Sequence, residues 1–195
     1  MNDFEIGGMP EALSAIVRDS DRIGFTMSSE PLTGSLLRVL AASKPGGRLL
    51  ELGTGTGVGT SWLLSGMDEG SRLESIDTDP EAQEVARRHL ADDRRVTFWL
   101  GDAARFLDEA HPHGFDLIFA DAWPGKFVYL DQALSHLRAG GIYLIDDLLP
   151  QAHWPDGHAA KVSALIADLE HRRSFATTKL QWASGMMIAV KGDDV

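Results

Sequence analysis

The chain has 195 residues, 44% hydrophobic and 24% charged, which is enough apolar material for one domain with a sizeable core and too much for a disordered segment. Its 18 basic and 29 acidic side chains give a formal net charge of −11, which repels phosphate backbones and anionic lipid and argues against nucleic-acid or membrane partners. Cysteine is absent, so disulfides, thiolate zinc sites and cysteine nucleophiles are excluded.

Two helix candidates open the chain, at residues 10–18 and 31–43, and read as a cover or lid. From residue 48 onward, short apolar runs bounded by turns alternate with segments of helical period. The runs at 48–52, 72–76, 96–100, 115–120 and 141–145 are predicted strands, and 59–67, 80–90, 103–110 and 127–137 are predicted helices. Each link between strands is long enough for a crossover helix, so parallel pairing is expected. A helix at 158–171 then precedes two runs, 175–181 and 185–190. Only Trp182, Ala183 and Ser184 separate these runs, which forces an antiparallel hairpin. The pattern predicts an α/β fold: a doubly wound seven-stranded sheet, mostly parallel, with the antiparallel hairpin at its C-terminal edge. With no repeat, low-complexity stretch or linker in the sequence, residues 1–195 read as one domain, a helical cover (1–47) over an α/β core (48–195).

The sequence is most informative at LLELGTGTGVGTSWLL, residues 49–64. An apolar strand carries Glu51 near its end, Gly53, Gly55, Gly57 and Gly59 follow at alternate positions, and a helix begins. Glycines there permit positive φ and clear side chains from where a ligand must touch backbone. The dinucleotide fingerprint GxGxxG fails from Gly53, where the last position is Val58, and from Gly55, where it is Thr60. The pattern present, E-x-G-x-G-x-G, resembles the first motif of class I S-adenosylmethionine-dependent methyltransferases. That resemblance implies a Rossmann-like sheet with the cofactor on the glycine turn, and assigns Glu51, Gly53, Gly55 and Gly57 to it. The second strand ends in SIDTDPE. Asp77, about 22 residues beyond the middle of the turn, is placed to accept both ribose hydroxyls, while Asp79 before Pro80 reads as a helix cap. The third strand ends in GDA, where Asp102 either caps the next helix or accepts from the adenine amino group. Asp102 and Ala103 join the cofactor set.

A second constellation lies further along. FDLIFADAWPGKF puts Asp121 at the end of the fourth strand, and GGIYLIDDLLP puts Asp146 and Asp147 at the end of the fifth. Neighbouring strands are ~4.8 Å apart, so three carboxylates there repel unless protonated, paired with a base or bridged by a cation. Oxygen-only ligands select a hard ion such as Mg²⁺. From about Met27 to the C-terminus the layout resembles the cation-dependent O-methyltransferases, which include the catechol and caffeoyl-coenzyme A methylating enzymes. In that family an Asp after the fourth strand and an Asp-Asn pair after the fifth hold the metal. Asp121 and Asp146 match, and Asp147 stands where the family has Asn. The resemblance therefore implies Mg²⁺ or a similar divalent ion on Asp121, Asp146 and Asp147, with Asp121 also beside the cofactor. The family's base is a lysine three residues after the first metal Asp. Here that position is Pro124, and Lys126 is the nearest substitute, so Lys126 and Asp121 are the catalytic candidates. Met27 and Ser29, in MSSEP, match the stretch that covers the methionine end of the cofactor; a Ser cap with proline in the first turn accounts for the same residues.

His111 and His113 read as a solvated turn, and His89, His136 and His171 suit helix C-termini. His153 and His158 lie in the loop after the acidic strand, where a substrate contact competes with a plain loop reading. Trp123 and Trp154 flank the proposed site as aromatic walls, and Trp62 lines adenine or is core. These features predict a cytoplasmic methyltransferase acting on oxygen of a small hydroxylated, aromatic acceptor, because the Asn/Asp-Pro-Pro-aromatic signature of N-methylation is absent from Asp121-Ala122-Trp123-Pro124. The opening MNDFEIGG has neither the basic region nor the apolar core of a signal peptide, and no run reaches the roughly 20 apolar residues of a membrane span. A cofactor-binding protein without turnover and a nicotinamide-dependent oxidoreductase are the competing readings. The edge hairpin and the N-terminal helices are candidate homodimer surfaces.

Overall fold

The computed structural model describes residues 2, 5–109, 114–152 and 154–193. In chain order the elements are α1 (Leu13–Arg22), α2 (Pro31–Ala42), β1 (Arg48–Leu52), α3 (Val58–Gly66), β2 (Arg72–Asp77), α4 (Pro80–Leu90), β3 (Val96–Leu100), α5 (Ala103–Asp108), β4 (Phe115–Ala120), α6 (Leu130–Ser135), β5 (Leu137–Ile145), α7 (His158–His171), β6 (Phe175–Leu180) and β7 (Met186–Lys191). The strands form one seven-stranded sheet in the order β3-β2-β1-β4-β5-β7-β6. β1 pairs in parallel with β2 and β4, while β7 is antiparallel to both β5 and β6. This is the predicted sheet. The chain reverses direction across it between β1 and β4, the place where doubly wound sheets open a crevice beyond their strand ends.

The near-continuous apolar run of β1 reflects burial on both faces. Leu50 and Leu52 join Ile118, Ala120, Tyr143 and Ile145 in a core roofed by residues of α5, α6 and α7. Leu49 points the other way, with Leu73, Leu117, Phe119 and Leu144, into a core closed by Ile16 of α1, Leu37 of α2, Trp62 of α3 and Val85 of α4. Glu51 shares Leu49's face through the two-residue period of a strand, and so lies under α3. Trp62 is fully buried core, which removes it from any adenine contact.

Several element bounds differ from expectation for identifiable reasons. α1 runs to Arg22 rather than ending at 18, because Asp19 and Ser20 keep its inner face buried with polar partners, His89 Nε2 at 2.9 Å and Thr56 Oγ1 at 2.7 Å. The helix predicted over 127–137 shrinks to Leu130–Ser135. Ahead of it Trp123 O accepts from the amides of Lys126 and Phe127, Tyr129 adopts φ 58°, and the apolar period of 127–128 belongs to a turn. Leu137 instead starts β5, whose pairing with β4 jumps from Phe115–Leu137 to Leu117–Ile142, so residues 138–141 bulge out. The solvated turn expected at His111 and His113 lies outside the described residues. No described helix is long and apolar enough to cross a membrane.

Candidate functional site

A cleft of about 390 Å³ opens beyond the C-terminal ends of β1 to β4. Along the sheet it meets Asp102 and Ala103 after β3, Asp77 at the end of β2, Gly53 and Gly55 after β1, and Asp121 and Trp123 after β4. Met27 and Ser29 contribute from the segment before α2, and Glu51 from β1. Nine of the ten residues assigned to a cofactor from sequence therefore share one wall-to-wall space.

The tenth, Gly57, does not. It caps α3 at φ 90°, and a Cβ there would lie 2.7 Å from Ala86 Cβ on α4. Its missing side chain lets two helices approach, and it lines no part of the cleft. Gly53 and Gly55 also have positive φ, at 104° and 51°. A Cβ on Gly53 would press on Asp121 O at 2.8 Å, and one on Gly55 on the Phe25 ring at 2.9 Å. Asp77 braces this turn: its Oδ2 accepts from Gly55 N at 2.7 Å and its Oδ1 from Asp79 N at 2.9 Å. Each oxygen keeps a lone pair for a ligand. Asp79 caps α4 through the amides of Glu81 and Ala82, as its position before Pro80 predicted. Asp102 caps α5 through Ala104 N at 2.8 Å, one of the two roles weighed for it, and it also lines the cleft.

Glu51 is fully buried. Its Oε2 accepts from Thr60 Oγ1 and Ser75 Oγ, each at 2.5 Å, and its Oε1 has no partner. Burial pushes its pKa up to about 8, against the pull of those two hydroxyls and with help from Asp121 and Asp77. Sequence reasoning overlooked Gly59 as a cleft residue. A Cβ there would sit 2.6 Å from Glu51 Oε1, and the fourth alternate glycine was the available signal. Phe25, which lies over Gly55, gave no signal at all.

The acidic constellation is differently built from the one expected. Asp121 lines the cleft, but Lys126 folds back from the turn after it, buried, with Nζ 3.2 Å from Asp121 Oδ1 and 3.9 Å from Asp147 Oδ2. Asp146 is buried, and its Oδ1 accepts from Ser184 Oγ at 2.6 Å and from Asp147 N at 2.8 Å. Asp147 adopts φ 63°, a conformation short polar side chains tolerate, and its Oδ1 takes Gln151 Nε2 at 2.9 Å. Burial pushes Asp121 up to about 7, opposed by Lys126 and reinforced by Asp146 and Asp147; burial also raises Asp146. Among the described residues no three acidic or histidine side chains gather around a common point in the manner of metal ligands. Each carboxylate has found its own donor, and an ammonium stands between two of them. As arranged, these described side chains do not present the ligand set of a divalent ion. Nothing in their spacing announced Ser184, which arrives from the β6–β7 hairpin.

Next to Asp121 lies an aromatic group. Trp123 lines the cleft, is 48% exposed, and carries Lys161 Nζ 4.3 Å from its ring centre. His158 packs edge-on to Trp123 and Phe127, at 5.9 and 5.0 Å between centroids, and lies 4.6 Å from Trp154, with its Nδ1 buried and unpartnered. The two tryptophans expected at the site are therefore brought together through His158, the first residue of α7. His153 lies outside the described residues.

The profile of a methyltransferase-domain family matches residues 50–148, from the glycine strand to just past Asp147. A Mycolicibacterium smegmatis protein named as an O-methyltransferase is 33% identical over 141 residues, covering 69% of this chain and 67% of that protein. Mycobacterium tuberculosis relatives named likewise are 35% identical over 120 residues, and the chain spans 54% of their length. Among solved structures, the O-methyltransferase TomG of Streptomyces achromogenes, in complex with SAM, superposes with a TM-score of 0.81 at 25% identity. That match covers 93% of this chain and 90% of TomG. The cofactor-bound Rv0187 from MTB gives a TM-score of 0.86 at 25% identity, over 98% and 94%.

Proposed function

This chain belongs to the methyltransferase-domain family, in its class I O-methyltransferase branch, and on that premise we propose that it moves the methyl group of S-adenosylmethionine onto an oxygen of a small hydroxylated, aromatic acceptor. The observation that carries the reading is the cleft itself. Its lining runs along four strand ends, β3 to β4, a span of roughly 14 Å at ~4.8 Å per strand, the scale of an extended nucleoside with an amino-acid tail. The residues suit such a ligand. Glycine backbone with positive φ lies at the centre, an acidic ribose partner on one side, and a buried unpartnered Glu51 oxygen at the base.

When bound, S-adenosylmethionine supplies a sulfonium methyl that an acceptor oxygen takes in a single displacement, leaving a thioether. The protein's own work is positioning and proton handling. Asp77 accepts from the ribose hydroxyls, and Asp102 and Ala103 border the base. Asp121 is the one carboxylate of its cluster that lines the cleft, so it receives the acceptor's proton as the oxygen bonds to carbon. Lys126 holds Asp121 in place from behind. Trp123 offers a flat surface beside Asp121, which favours an aromatic acceptor. No step passes through a divalent ion.

Calorimetric titration with S-adenosylmethionine tests the donor, and mass spectrometry of a catechol and phenol panel incubated with it tests the transfer. Absence of binding heat refutes the reading. Heat without methylated product from any acceptor points instead to a binding protein without turnover.

A further inference from the structure

Three carboxylates at neighbouring strand ends call for a positive charge, and this fold has placed one there covalently. We propose that the Lys126 ammonium is the resident cation at the acceptor end of the cleft, standing in the place of a divalent metal, and that the protein consequently neither binds nor needs one. The proposal rests on the methyltransferase reading and narrows its chemistry.

Lys126 is not a surface chain that happens to reach inward. Its side chain is 5% exposed, and the turn that carries it is fixed on both sides. Lys126 N donates to Trp123 O at 3.1 Å, Gly125 N donates to Val128 O at 2.8 Å, and the buried Tyr143 hydroxyl of β5 donates to Gly125 O at 2.7 Å. A Cβ on Gly125 would meet Leu52 at 2.6 Å and the Tyr143 hydroxyl at 2.8 Å, so this turn is pressed against the sheet. The ammonium therefore arrives at Asp121 and Asp147 by construction.

A Mg²⁺ ion needs oxygens at about 2.1 Å in a near-octahedral shell. Bound to Asp121 Oδ1, it would lie within a few ångströms of Nζ, itself 3.2 Å from that oxygen. Two like charges so close in a desolvated pocket repel strongly. Several of the neighbouring oxygens already hold donors: Asp146 Oδ1 accepts from Ser184 Oγ and Asp147 N, and Asp147 Oδ1 accepts from Gln151 while its Oδ2 faces Lys126. Lys126 acts through Asp121, compensating its charge and fixing its orientation on the cleft wall, and is a positioning residue rather than one that touches the reacting atoms.

Electron paramagnetic resonance of Mn²⁺ reads this directly, without an acceptor. The expected wild-type result is a free-Mn²⁺ signal undiminished by equimolar protein. In Lys126→Met, shown to be folded by circular dichroism, the freed carboxylates take up Mn²⁺ about a hundredfold more tightly, the order set by withdrawing one like charge at short range. Stoichiometric loss of the Mn²⁺ signal on adding wild-type protein would overturn the proposal, as would a folded Lys126→Met that binds Mn²⁺ no better than wild type. The wild-type spectrum decides even if the variant does not fold. A parallel calorimetric titration with S-adenosylmethionine separates the two levels, because failure to bind the donor refutes the methyltransferase reading and leaves the Mn²⁺ result interpretable by itself.

Discussion

Replacing Glu51 by Gln keeps the shape of a fully buried side chain and removes only its proton chemistry. In the native protein, burial raises this carboxyl from 4.5 to about 8, with the Thr60 and Ser75 hydroxyls resisting and Asp121 and Asp77 assisting. The folded state therefore keeps a proton that the unfolded chain releases near pH 4.5. Where the unfolded state binds fewer protons, stability falls as pH rises. The contribution is complete below about pH 4.5 and lost progressively up to about 8. At about 1.4 kcal/mol per pH unit, the whole loss is on the order of 5 kcal/mol, a large part of the stability of a domain this size. Glu51→Gln does not titrate, and both hydroxyls retain an amide oxygen as acceptor. Its stability relative to wild type should climb through that window and level off above pH 8. Urea unfolding followed by fluorescence of the five tryptophans, at steps from pH 5 to 9, measures the difference. Other buried acids titrate in both proteins and largely cancel. A difference flat across the window would refute the placement of a neutral carboxyl at this position.

Further outcomes follow from the cleft. Gly57→Ala should lower thermal stability by about 1–3 kcal/mol, through its positive φ and the contact with Ala86, yet leave donor affinity nearly unchanged by calorimetry. Gly53→Ala faces a similar strain but also crowds the cleft beside Asp121, so it should weaken donor binding in addition. Asp77→Ala removes the ribose acceptor and the brace on Gly55 N, and should cost roughly 10–100-fold in donor affinity from one or two charge-assisted hydrogen bonds. Trp123→Ala should raise KM for aromatic acceptors about tenfold or more while donor affinity holds, a split visible in steady-state kinetics with each substrate varied in turn.

The strands were legible because β1, β4 and β5 are buried on both faces and so appear as apolar runs, and because Gly, Pro and Asp punctuate their ends. The glycine turn was legible for the same reason it works, since residues without side chains stand out in a string of letters. What spacing could not convey is which glycine serves the cleft and which serves packing. Gly57 and Gly59 differ in role only because one faces Ala86 and the other Glu51. The acidic cluster shows the limit most clearly. Asp121, Asp146 and Asp147 were placed at the right strand ends, but their partners depend on a turn that folds Lys126 back and on Ser184, 38 residues from Asp146. The aromatic group was half legible: Trp123 lines the cleft as expected, while Trp154 reaches it only through His158, whose place depends on where α7 starts.

The insertion of β7 between β5 and β6 bears on how this protein comes off the ribosome. Until β7 pairs, β5 presents a bare apolar edge, and Asp146 lacks the Ser184 hydroxyl delivered by the same hairpin. The donor-side wall, built from β1 to β3, is already synthesised by then. A nascent chain paused before residue 184 thus carries every residue of the glycine turn but lacks the hydroxyl that partners Asp146, and its β5 edge is open to chaperones or to another unfinished copy.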